Sequence, residues 1–147
     1  MRPLLPFAVA GVVVAAWMGA SQPGVAQEAP DRPGLSVSHA GLTARASLGS
    51  FCADGLCADA LHPPQPKGRL PVRSRARLTL RFTRDATTVE AALGRRGTRV
   101  LSVQKVTARK WKVRLPRRLH GARIVDVFAS GDDWDGSFWA GIRAGCR

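Results

Sequence analysis

The sequence predicts an all-β fold, an antiparallel sandwich of about seven or eight short strands behind an N-terminal signal peptide. Three observations lead there. Apolar and polar residues alternate at period two in segment after segment, Gly, Pro or Asp interrupts them about every 8–12 residues, and no stretch sustains a helical period. The 147 residues leave room for one ordinary domain and exclude a two-domain nucleotide enzyme. A hydrophobic content of 45% excludes a wholly disordered chain, and three cysteines exclude a disulfide-dense mini-scaffold.

The leading segment reads as an address. Arg2 precedes Phe7 to Ala20 (FAVAGVVVAAWMGA), a run without charge. A bilayer-spanning helix needs about 20 apolar residues, so this shorter run suits the hydrophobic region of a signal peptide. Pro23 and Gly24 break it, and Gly24-Val25-Ala26 offers the small residues of a cleavage site. The expectation is a signal peptide over 1–26, a flexible Pro-rich tether over 27–34 (QEAPDRPG) and a β-domain over 35–147. An uncleaved N-terminal anchor is the alternative. Either way the product is expected to be secreted or associated with the cell envelope, and cleavage would leave no transmembrane span in the mature chain.

Strands follow in order. LSVS (35–38) and LTARASLGSF (42–51) come first, then a second Pro-rich crossing, HPPQPKGRLP (62–71), expected to stay extended and unpaired. RARLTLRFT (75–83) alternates most clearly: Ala76, Leu78, Leu80 and Phe82 share one side, Arg75, Arg77, Thr79, Arg81 and Thr83 the other. TTVEAAL (87–93) has some helical character, ended early by Gly94 and Gly97. TRVLSVQKV (98–106), RKWKVRL (109–115), ARIVDVFAS (122–130) and GSFWAGIRA (136–144) complete the set. In 109–115, Trp111, Val113 and Leu115 oppose Lys110, Lys112 and Arg114.

Cys52 and Cys57 enclose Ala53-Asp54-Gly55-Leu56, and Asp-Gly is a favoured hairpin turn. The expected disulfide is therefore Cys52–Cys57, leaving Cys146 as a free thiol; pairing of Cys146 with either of the others is the competing arrangement. Cys-x4-Cys without a second ligand pair, and three scattered histidines (His39, His62, His120), give no zinc signature. No cofactor motif is present, and neither HExxH, GxSxG nor a Walker loop occurs. Ser137 fits a strand start better than a nucleophile elbow, and a Cys146–His120 pair would sit on a poorly held terminus, so a non-catalytic protein is expected. Asp132-Asp133-Trp134-Asp135-Gly136 reads as a solvated hairpin. Asp133 and Asp135 only partly match a calcium loop, which would need a distal Glu. Trp134 is expected to fold back over the sandwich end rather than stand out as a carbohydrate-stacking platform, and Trp111 and Trp139 to lie in the core or at its edge.

The formal charge is +13, spread through 67–123. In an immunoglobulin-like strand order, 75–83 and 109–115 are neighbours in one sheet. Arg75, Arg77, Arg81, Lys110, Lys112 and Arg114 then form one positive face, extended at the turns by Arg95, Arg96, Arg99, Arg117 and Arg118. Such a face attracts polyanions by counterion release. Export argues against nucleic acid, as does the lack of aromatic residues between the cations. The expected partner is an anionic envelope polymer bound by a monomer; a protein partner held at a strand edge or the Trp134 loop is the alternative, and solubility alone is the bland one.

Gly49-Ser50-Phe51-Cys52, Cys57-Ala58-Asp59, the Pro-rich crossing and the basic strand after it resemble a group of small exported bacterial proteins, immunoglobulin-like and largely uncharacterised. Val125-Asp126-Val127-Phe128-Ala129 and Gly136-Ser137-Phe138-Trp139 are similar to that group's last two strands. The resemblance spans 49–144 and implies the fold and export, with no catalytic residue to carry over. Ala53 stands where the group often has Trp, and Cys146 is an addition.

Overall fold

A computed structural model describes residues 31–60, 65–94 and 99–145, and all the regular structure among them is β. The strands are β1 (Leu35–His39), β2 (Leu42–Arg45), β3 (Ser47–Ala53), β4 (Leu56–Ala58), β5 (Arg69–Val72), β6 (Arg77–Phe82), β7 (Thr88–Leu93), β8 (Arg99–Val100), β9 (Ser102–Thr107), β10 (Lys110–Arg114), β11 (Gly121–Ser130) and β12 (Trp134–Ala144). They build two sheets packed together. One has the order β2-β1-β6-β10-β9, the other β4-β3-β12-β11-β7-β8 with β5 also paired to β12. The expected signal peptide, residues 27–30 of the tether, His62, Arg95, Arg96 and Cys146 lie outside the described residues.

Twelve described strands replace the expected seven or eight, and the difference has physical causes. Two segments expected to be single strands cross from one sheet to the other. The first turns the corner at Ala46, the second at Leu101. Both corner residues are buried, and each donates its N–H to a neighbouring strand, Ala46 to Leu35 O at 2.9 Å and Leu101 to Ala91 O at 2.8 Å. Alternation alone hides such corners, because the apolar residues face the core on both sides of them. The end of the Pro-rich crossing is not unpaired: β5 runs parallel to β12, with Pro71 opposite Arg143. The last tether residues are docked as well. Pro33 is buried, and Gly34 donates to Thr83 Oγ1 at 2.8 Å while accepting from Thr83 N at 3.0 Å.

Turn chemistry sets the hairpins. Asp54 (φ 52°) and Gly55 (φ 78°) are both left-handed, as a two-residue turn matching the strand twist requires. Ala40 (φ 48°) and Gly41 (φ 81°) repeat this between β1 and β2. The core is what alternation assigns to it. Leu78, Leu80 and Phe82 of β6 and Trp111 and Val113 of β10 face Val125, Val127 and Ala129 of β11 and Phe138, Ala140 and Ile142 of β12, all buried. Phe82, Trp134 and Phe138 close one end, with ring centroids 5.8 to 6.4 Å apart.

Candidate functional site

β6 and β10 lie side by side, as the charge pattern requires for a common face. Lys110 is opposite Arg81, Lys112 opposite Thr79, and Arg114 opposite Arg77. Because Leu78, Leu80, Phe82, Trp111 and Val113 occupy the core, period two turns these six residues outward. β1 and β2 continue the surface: Ser36 stands between Arg81 and Arg45, Ser38 between Thr79 and Thr43. On the far side, Thr107, Gln104 and Ser102 of β9 flank Lys110, Lys112 and Arg114. The result is three rows of cations, hydroxyls and an amide, on five strands that contain no Asp or Glu.

Alternate residues on a strand are about 6.7 Å apart and adjacent strands about 4.8 Å, so Lys110, Lys112 and Arg114 form a line of regularly spaced charge. The arrangement works against the fold. Arg81–Lys110 and Arg77–Arg114 are like-charged pairs directly opposite one another, each destabilising by about 0.2–1 kcal/mol.

Two sequence-based assignments change and one cation is added. Arg75 leaves the face: it is the third residue of a turn closed by Ala76 N to Arg73 O at 3.1 Å, with φ 61°. That position normally holds Gly, and a non-Gly residue there costs about 1–3 kcal/mol. Arg99 belongs to β8 and the other sheet. Arg45 joins the face through the β1–β2 hairpin, which linear alternation within 75–83 and 109–115 had no means of showing.

Carboxylates gather at the end of the sandwich away from Arg77 and Arg114. Arg84 is clasped there by Asp54 at 3.1 and 3.2 Å and by Asp133 at 2.6 Å. The hydrogen bonds from Arg84 hold the Asp54 carboxyl below its ordinary range, and the Arg84 pKa rises in turn, chiefly through Asp54. The acidic hairpin is shorter than expected, because Trp134, Asp135 and Gly136 already belong to β12. Asp133 faces Arg84, whereas Asp135 is an outward strand residue opposite Cys52, so the two calcium candidates do not converge. Among the described residues no group of three or more His, Cys, Asp or Glu is placed to hold a metal ion.

Trp134 is folded back and buried, its indole N–H donating to Asp85 O at 2.8 Å. Trp111 is buried under the Lys105 ammonium, 5.4 Å from the ring centre. Trp139, expected in the core or at its edge, is on the opposite side of its strand from the buried Phe138 and Ala140. It lies half-buried on the outer side of the seven-stranded sheet, donating to Asp126 Oδ1 at 2.9 Å. Burial raises the Asp126 pKa, and this hydrogen bond partly offsets the rise. Cys52 and Cys57 are disulfide-bonded across β3 and β4, on that same outer side. Ser137 donates to Ser50 O at 3.3 Å. Among the described residues no helix is long and apolar enough to cross a membrane. No family model matches the chain, and no curated protein or solved structure is similar to it at a significant level.

Proposed function

We propose that this protein is an exported, non-catalytic β-sandwich module that holds an anionic polymer of the cell envelope on the outer face of its five-stranded sheet. The observation carrying this reading is that face: Arg45, Arg77, Arg81, Lys110, Lys112 and Arg114 lie together on strands free of carboxylates, with like charges directly opposite. A surface needed only for solubility gains nothing from juxtaposed cations, whereas an extended polyanion neutralises all of them at once. Hydroxyls between the cations supply neutral donors to the same ligand. The Cys52–Cys57 bridge suits an oxidising, extracytoplasmic location.

The test is binding of the purified protein to envelope fractions and to polyphosphate across a salt series. A variant with Arg77, Arg81, Lys112 and Arg114 all changed to Ser serves as comparison. With six phosphates neutralised, log K should fall against log salt with a slope on the order of −4 to −5. Equal binding by both proteins would overturn the assignment.

A second reading, a subunit binding a protein partner, has its own surface. Phe128 and Val100, 47% and 83% exposed, border a groove of about 560 Å³ on the seven-stranded sheet. Binding there would persist at high salt.

A further inference from the structure

Two loops meet at the end of the sandwich opposite the Asp54–Arg84–Asp133 cluster. One leads from β5 into β6, the other from β10 into β11, and Arg75 N donates to Pro116 O at 3.0 Å where they touch. Between them is a cleft of about 750 Å³. Val72 and Leu119, both buried, contribute its apolar part, and Arg73, Ser74, Arg75, Arg117 and His120 contribute the donors. Gly145 completes the lining, and among the described residues no carboxylate lines it.

We propose that this cleft is a phosphate-binding subsite. The inference rests on the polyanion reading and names the anion: the sheet takes the length of the polymer, and the cleft seats one of its phosphate groups. Three guanidinium residues approach from two loops, and a tetrahedral phosphate offers oxygens in several directions to such forks, where a planar carboxylate offers one edge. Concavity strengthens each contact by thinning the water around it. The strained backbone points the same way. The third position of this turn favours Gly and holds Arg75 instead, at φ 61°; the other left-handed non-Gly residues described, Ala40 and Asp54, each precede a Gly in a two-residue hairpin turn, which Arg75 does not. A retained outlier of that kind is typical of ligand clamps. The cleft also adjoins the sheet face, since Arg75 precedes Arg77 by two residues and Pro116 follows Arg114 by two.

The experiment is titration of the protein with glycerol phosphate, and with acetate for comparison, at low ionic strength, followed by amide chemical shifts. Saturable shifts confined to 73–76 and 117–120 with glycerol phosphate, and absent with acetate, are expected. Arg75→Gly should raise the melting temperature and weaken phosphate binding at least tenfold, and Arg117→Ser should weaken it without raising the melting temperature. Equal response to acetate, scattered shifts, or unchanged affinity in Arg75→Gly would overturn the subsite. Polyphosphate binding distinguishes the two claims. If the sheet variant loses the polymer while glycerol phosphate leaves the cleft unperturbed, the subsite fails and the sheet reading stands. If glycerol phosphate seats in the cleft while the sheet variant keeps the polymer, the subsite stands and the sheet reading fails.

Discussion

Arg77 and Arg114 stand directly opposite one another on neighbouring antiparallel strands, and the strands of that sheet bring no carboxylate to separate them. Cross-strand neighbours of like sign oppose folding, so removing one should help the isolated protein and harm its binding. Arg114→Thr is expected to raise stability by about 0.2–1 kcal/mol at low salt. The gain should shrink as added salt screens the pair. Urea denaturation at two ionic strengths measures it; a loss of stability would mean that the Arg114 stem packs usefully on its neighbours.

Gly131 lies under the Trp134 ring. A Cβ there would collide with the indole nitrogen and with Asp85 O, the two atoms that form the hydrogen bond holding the ring in place. Neither can yield without breaking that bond, so Gly131→Ala should cost about 1–3 kcal/mol. Thermal unfolding combined with near-ultraviolet circular dichroism would detect both the loss and the displaced ring.

The Cys52–Cys57 bridge closes a short loop whose turn already has the geometry that its hairpin needs. Chain-entropy reasoning for so small a loop gives about 2 kcal/mol. The double variant Cys52→Ser, Cys57→Ser is therefore expected to keep the fold and lose no more than about that amount. Collapse of the fold on reduction would show that the bridge carries more than its own hairpin.

Acid should loosen the Arg84 clasp. The folded-state pKa of Asp54 lies below its ordinary value of 3.8, mainly because of the hydrogen bond from Arg84. A lowered carboxyl contributes stability that is fully present above 3.8 and is lost as pH falls through the folded value. The melting temperature should drop as pH falls below about 4, and Arg84→Met should flatten that drop. Identical slopes in the two proteins would remove Asp54–Arg84 as the cause.

The two-sheet class and most strands were legible because alternation is local. Leu78-Thr79-Leu80-Arg81-Phe82 declares its buried side within one segment, and Asp54-Gly55 declares its turn. The corners at Ala46 and Leu101 were not legible, since an apolar residue in an alternating run looks the same whether the chain goes straight or changes sheets. Five of the six cations singled out from the sequence share a face. Arg75 does not, because one left-handed residue at the strand's edge redirects the chain.

The sequence by itself determined which residues of β6 and β10 face water and which face the core, and hence that both strands present cations outward, because side-chain direction in a strand follows from period two. Only the tertiary structure decided that Arg45 joins them, that Arg84 is shared by Asp54 and Asp133, and that Arg73, Arg75, Arg117 and His120 surround one cleft. Those relationships join residues distant in the chain, and strand pairing and loop packing fix them where local pattern carries no record of who the neighbours are.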